Sequence, residues 1–267
     1  MRVFRGFHHP GIARACALTI GNFDGVHRGH QAMLALLRNE AQHRGLPSCA
    51  LTFEPHPRDY FAALAGKPEL APSRIATLRD KLGELERCGI DQTVVLRFDQ
   101  RFAAQTPQAF IDDVLVRGLG AKYVLVGDDF RFGARRAGDY AMLDAAGQAA
   151  GFDVARMNSY EVHGLRVSSS AVRDALAAGD MARVATLLGR HAPTGHIDQH
   201  VKLAQRIGQM QRLANDHAQR FVLEVIVKSG AVDGHIAVTR TQVNACGGAF
   251  ATARSVILNI SHVLNRS

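Results

Sequence analysis

Between residues 15 and 157, short apolar runs alternate with longer segments whose apolar residues recur at helical spacing. This alternation constrains the fold more than any other feature. The runs are ACALTI (15–20), PSCALTFEP (47–55), QTVVLRF (92–98), KYVLVGDDF (122–130) and FDVARM (152–157). A strand buried on both faces reads as a continuous apolar run, so these predict a parallel sheet with helices on both sides, an α/β fold. The first intervening segment places Met33, Leu34, Leu37 and Ala41 on one helical stripe. Residues 74–89 are amphipathic and end in glycine, and Thr106-Pro107 supplies an N-cap and a first-turn proline for a helix over 108–120. A further helix is expected over about 137–150. Ligands bind beyond the carboxyl ends of the strands in such sheets, where GNFDG (21–25) and GDDFRFG (127–133) fall.

No apolar run approaches the roughly 18 residues of a membrane helix, and MRVFRGFHHPG at the start lacks the apolar core of a secretory signal. Cys16, Cys49, Cys88 and Cys246 are widely spaced and form no C-x-x-C pair, which predicts a reduced, cytoplasmic setting. A net charge of +8 favours an anionic partner, either nucleic acid or a phosphorylated small molecule. The excess is uneven: residues 190–267 hold nine Lys/Arg against four Asp/Glu, so the charge says little about the segment carrying the first motif. The strand–helix alternation also stops near 189, which predicts one domain over 1–189 and a different tail over 190–267. Within that tail, residues 221–239 are a hairpin candidate.

GNFDGVHRGH (21–30) joins the first apolar run to the first amphipathic segment. Strand, glycine-bearing turn and helix start is the layout of a phosphate site, because a helix N-terminus offers unpaired N–H groups and partial positive charge. Gly21 and Gly25 allow a tight turn, and Asn22, Phe23 and Asp24 complete it. His27 and His30, three residues apart, share a face of the helix start, and Gly29 leaves room beside them. Two imidazole donors suit phosphoryl or nucleotidyl transfer, where charge grows on the equatorial oxygens and an already anionic nucleophile needs no general base. H-x-x-H lacks a nearby third ligand for a metal, so no protein-held metal is expected. No Walker loop occurs.

RVSSSAVRDAL (166–176) clusters Ser168, Ser169 and Ser170 before a helix start with Arg173 in its first turn. This is either a clamp for the terminal phosphates of a nucleotide or a plain serine N-cap with a solvated arginine. TFEPHPRDYF (52–61) leaves a strand with prolines flanking His56. GDDFRFGARRAGD (127–139) interleaves Phe130 and Phe132 with arginines, either to stack a flat ring and hold a phosphate or as a basic loop with two core phenylalanines.

Together, and in this order from about residue 15 to 189, the four segments resemble the FMN adenylyltransferase (FAD synthetase) module of bacterial bifunctional riboflavin kinase/FAD synthetases. The resemblance implies a Rossmann-like nucleotidylyltransferase fold and the reaction FMN + ATP → FAD + pyrophosphate, with Mg²⁺ accompanying ATP. It implies that His27 and His30 contact the ATP phosphates and stabilise the transition state, and that Ser168, Ser169, Ser170 and Arg173 hold the pyrophosphate portion. Asp129, Phe130 and Arg131 are then expected near the nucleotide or its partner substrate, and Glu54, Pro55 and His56 on the flavin side. The tail departs from the family: KLAQRIGQMQRLAND replaces a run ending in GFPT-x-N, so no riboflavin kinase activity is expected there, and one hypothesis for 190–267 is a truncated or out-of-frame reading. Another superfamily transferase, acting on nicotinate mononucleotide, phosphopantetheine or glycerol phosphate, stays open, as does a non-catalytic nucleotide or flavin binder. Only Phe221 and Phe250 interleave the basic tail with Phe, Tyr or Trp, so no nucleic-acid partner is expected, and the short apolar runs predict no membrane partner.

Overall fold

The computed structural model describes residues 1–162 and 164–190, together with the backbone of His235–Arg240 and Arg254–Asn259. Six strands form one all-parallel sheet: β1 (Arg2–Arg5), β2 (Ala17–Ile20), β3 (Ser48–Glu54), β4 (Gln92–Arg97), β5 (Tyr123–Gly127) and β6 (Asp153–Met157). Their spatial order is β1-β4-β3-β2-β5-β6. From β2 the chain steps outward through β3 to β4 on one side, then returns to lay β5 and β6 on the other. The order therefore reverses between β2 and β5, and a crevice opens beyond their carboxyl ends.

The connections are helical. They are α1 (Arg28–His43), α2 (Pro57–Leu64), α3 (Leu78–Arg87), α4 (Gln100–Ala103), α5 (Pro107–Phe110) continuing as a π-helix (Ile111–Gly118), and α6 (Tyr140–Ala150). After β6 come the two-residue strands β7 (Glu161–Val162) and β8 (Leu165–Arg166), then α7 (Ser169–Ala177) and α8 (Met181–Leu188). Alternate strand residues serve opposite layers. Ala17, Ala50 and Leu125 pack with Leu34, Leu37 and Ala41 of α1 and Leu85 of α3. Leu18, Leu51 and Val124 pack with Phe110, Ile111, Val114 and Leu115, and with Leu143 of α6. Leu18, Leu34, Leu37 and Leu51 are fully buried, each worth roughly 1.5–3 kcal/mol of burial. A separate cluster joins α7 and α8 to Ile75, Val162 and Val167. The expected α/β class and double-sided cover are both present.

Several element limits differ from expectation for local reasons. The helix expected from residue 74 starts at Leu78, because Thr77 and Asp80 form a reciprocal capping box, and the N–H groups of Ile75 and Ala76 are spent on Asp24. The helix over 108–120 is α-helical for one turn only and then shifts to i→i+5 bonding, as in Leu119 N–H to the Val114 carbonyl at 2.9 Å. The helix expected from 137 waits for its Asp139 N-cap. Strand β1 and helix α2 were not foreseen. In the tail, β9 (His235–Arg240) covers the end of the expected 221–239 hairpin and pairs antiparallel with β10 (Arg254–Asn259) instead; residues 221–234 lie outside the described residues. The expected polar tail character and its missing kinase motifs also fall outside them. Among the described residues, no helix is long and apolar enough to cross a membrane.

Candidate active site

The turn leaving β2 departs from ordinary backbone geometry. Phe23, Gly25 and Val26 have φ of 49°, 78° and 39°. Only glycine takes such angles without strain, and a Cβ on Gly25 would also sit 2.6 Å from Ile75. A β-branched residue at positive φ persists only where its surroundings over-determine it. They do so here: Phe23 and Val26 are fully buried, and Val26 N–H closes on the Phe23 carbonyl at 3.2 Å. The Asp24 carboxylate accepts from Ile75 N–H at 3.1 Å, Ala76 N–H at 3.2 Å and Arg173 Nη2 at 2.5 Å. Ser169 Oγ donates to the Asp24 carbonyl at 3.2 Å. Asp24 thereby ties the β2 turn to the lead-in of α3 and to the first turns of α7.

His27 is the N-cap of α1, and its Nδ1 accepts the backbone N–H of His30 at 3.3 Å. An imidazole nitrogen that accepts carries no proton, so the neutral ring bears its hydrogen on Nε2. The His27 and His30 rings stack with centroids 3.6 Å apart and 16° between planes. Burial pulls His27 down to about 4, assisted by Arg173 and Arg190 against the opposing pull of Asp24. His30 lies well below the usual imidazole range, through burial first and then through His27 and Lys81. Two stacked buried rings cannot both charge, so at neutral pH the pair is a set of uncharged donors. The Nδ1 atom of His30 is buried and has no hydrogen-bond partner among the described residues. His56 repeats the arrangement at the start of α2: its Nδ1 accepts Arg58 N–H at 3.1 Å, and burial, then Arg74, lowers it to about 4.

These groups face a cleft of about 910 Å³ at the β2/β5 switch point. Of the residues expected at the site, Gly21, Asn22, Phe23, His27, His30, His56, Asp129, Phe130, Arg131, Ser168, Ser169, Ser170 and Arg173 line it together. Asp24, Gly25, Glu54 and Pro55 do not line it. Asp24 holds the turn, and Glu54 forms a two-oxygen pair with Arg74 Nη2 at 2.7 and 2.8 Å. Ser168 caps α7 by accepting Ala171 N–H. Arg173 bonds Asp24 through Nη2 and the Ser73 carbonyl through Nε at 2.7 Å, so it is oriented from within the protein and is not a freely solvated side chain. His56 sits in the field of Arg74, Asp24, Arg173 and Lys81.

Two features escaped the sequence reading. Lys81 of α3 is buried, donates to Thr52 Oγ1 at 3.3 Å and stands 3.9 Å from Glu54. Thr52 Oγ1 in turn donates to the Asn22 carbonyl at 3.3 Å, so a buried ammonium braces the turn from behind. Its signal was a lysine four residues before buried Leu85 on the apolar stripe. The other feature is an aromatic wall. Phe53, Phe98 and Phe102 join Phe110, Phe132 and Phe130 in a run of ring contacts, with Phe130 and Phe132 stacked at 5.4 Å. All six line the cleft. Beyond Phe130 and Phe132, which the sequence already offers for ring stacking, its signal was Phe53 near the end of β3 and Phe98 just past β4.

A family model described as FAD synthetase matches residues 9–171. The chain is 46% identical over 211 residues to a bifunctional riboflavin kinase/FMN adenylyltransferase of Escherichia coli (strain K12), covering 78% of this chain and 66% of that protein. It is 40% identical over 245 residues to the protein of the same description from Haemophilus influenzae, covering 89% of this chain and 78% of that protein. Both alignments are too long to end at residue 189 and reach into the tail. At 66%, the chain spans about two thirds of the length of the Escherichia coli relative. A solved structure described as a macrolide-efflux protein from Streptococcus pneumoniae superposes with a TM-score of 0.61 at 23% identity, over 71% of this chain and 62% of that one, which is a likeness of fold. With the family match spanning both the β2 turn and the start of α7, this chain belongs to the FAD synthetase family.

Proposed function

We propose that this chain transfers the adenylyl group of ATP to FMN, giving FAD and pyrophosphate, with Mg²⁺ entering as part of the ATP substrate. The observation that supports this reading best is the stacked, uncharged pair His27 and His30 in a cleft at the sheet's switch point. An FMN phosphate oxygen attacks the α-phosphorus. The new O–P bond forms as the bond to the β-phosphate oxygen breaks, and pyrophosphate leaves with that electron pair. The nucleophile is already anionic, so no proton has to be removed from it. Charge rises on the α-phosphate oxygens, where an N–H donor fixed in a dry site lowers the barrier.

The division of the cleft supports the same reading. Its polar side gathers the start of α1, Ser168–Ser170 at the start of α7, and Arg173, a setting for phosphates. Its other side is the phenylalanine wall, a setting for a flat conjugated ring. Asp129, Phe130 and Arg131, on the loop after β5, also line the cleft. The match to the FAD synthetase family and to proteins described as FMN adenylyltransferases favours FMN as acceptor over nicotinate mononucleotide or phosphopantetheine. We assign no riboflavin kinase activity to residues 190–267.

The test is to incubate the protein with MgATP and, separately, FMN, riboflavin, nicotinate mononucleotide and phosphopantetheine, following both pyrophosphate and the adenylylated product. FAD is expected from FMN and not from riboflavin. Turnover confined to a non-flavin acceptor would refute the reading.

A further inference from the structure

Arg190 lies outside the cleft lining, yet each of its guanidinium nitrogens is engaged. Nη2 donates to the Gly25 carbonyl at 2.6 Å, Nη1 donates to the Val26 carbonyl at 3.1 Å and the Leu188 carbonyl at 3.2 Å, and Nε stands 3.3 Å from Glu84 Oε1. Gln31 of α1 reinforces the same point, its Nε2 donating to Val26 and Leu188 carbonyls, both at 2.8 Å. Gly189, with φ of 71°, ends α8 in the left-handed region, where glycine takes the required angle without strain. The last described residue of the domain is thus bonded to the strained turn more than 160 positions earlier.

The C=O and N–H of one peptide unit point in opposite directions. Holding the Gly25 and Val26 oxygens on Arg190 turns the N–H groups of Val26 and His27 the other way. The Val26 N–H then closes the turn on Phe23, and the His27 N–H leads into α1. Reversing the Val26–His27 unit would exchange an amide hydrogen for a carbonyl oxygen beside the His27 ring, which an anionic phosphate would repel. Gln31 still holds the Val26 carbonyl when Arg190 is lost, so that loss frees the Gly25 carbonyl and leaves Val26, at φ of 39°, with one side-chain donor in place of two.

We propose that Arg190 is a positioning residue for adenylyl transfer, acting through the Gly25 and Val26 carbonyls to keep the turn and the His27 ring aligned on the transferred phosphate. The inference rests on the adenylyl-transfer reading above. Because Arg190 acts on the turn and not on the aromatic wall, its loss should be felt by ATP and by turnover, and not by FMN.

The experiment compares Arg190→Gln and Arg190→Lys in the full chain, with Glu84→Gln as a variant that loosens the guanidinium without removing it. For Arg190→Gln, kcat should fall 10- to 100-fold and the KM for MgATP should rise about fivefold, with the KM for FMN within twofold. Arg190→Lys, which keeps the charge but not the fork, should lose three- to tenfold in kcat, and Glu84→Gln a few-fold. A folded Arg190→Gln protein with parent-like kcat and MgATP KM overturns the proposal. If that variant does not fold, a folded Arg190→Lys protein with parent-like kcat overturns it instead. A parent protein that makes no FAD from FMN defeats the functional reading. The positioning role is then read from MgATP affinity by calorimetry, and unchanged affinity in Arg190→Gln or Arg190→Lys overturns it.

Discussion

His27 and His30 share the cleft unequally. His27 spends Nδ1 on the N-cap of α1 and keeps only Nε2–H for a ligand, whereas His30 contributes to that cap through its backbone N–H alone. His30→Ala should therefore leave the cap intact and lower kcat by roughly one to three orders of magnitude with little change in melting temperature. His27→Ala should show a comparable rate loss plus about 1 kcal/mol of lost stability. Steady-state pyrophosphate release and thermal melts on the two variants separate these outcomes. Asp24 offers a second contrast. It is 3% exposed and answers Arg173, so Asp24→Ala strands a half-buried guanidinium as well as two backbone donors. A loss of about 3 kcal/mol in urea denaturation is expected. The two histidines were legible as a pair because spacing alone puts residues three apart on one helical face. The inward turn of Arg173 was not, since its partners Asp24 and Ser73 are 149 and 100 positions away in the chain.

At the level of elements, the cleft is lined by the starts of α1 and α7 and by a set of phenylalanine rings. Phe102 of α4 touches Phe53, Phe98 and Phe110 and faces the cavity. Phe102→Ala should raise the KM for FMN three- to tenfold while leaving that for MgATP within twofold, the size of change expected for one aromatic contact. Initial rates at varied FMN and fixed MgATP, then the reverse, check it. Strands β2 to β6 and helices α1, α3 and α6 could be read from periodicity because each buries a long enough stripe. Strand β1 could not, since four edge residues with only Phe4 buried have no period to detect. The π-helix hides for another reason: its apolar residues fit a helical pattern, and only the hydrogen-bond register departs from it. The serine cluster at the start of α7 was legible as an N-cap, with Ser168 in that role.

For the whole molecule, the buried imidazoles link stability to pH. His27 and His56 fall from 6.5 to about 4, and His30 is held well below its ordinary value by burial. A depressed folded-state pKa means that the unfolded chain takes up protons first as pH drops. Stability is thus held above about 6.5 and lost as pH falls toward 4, by on the order of 3 kcal/mol for His27 alone. Urea midpoints should decline steadily across that window, and His27→Gln should flatten the slope. Constant midpoints from pH 7 to 4.5 would contradict the buried, neutral assignment. Over the same fold, β2 lies between β3 and β5, yet β5 begins at Tyr123, 103 positions after β2 ends at Ile20. During synthesis one flank of the central strand is consequently left bare, with its amide and carbonyl groups unmated, until the far half of the domain has emerged from the ribosome. Nascent chains stalled before Tyr123 should be the species that chaperones bind and that clump when chaperones are scarce.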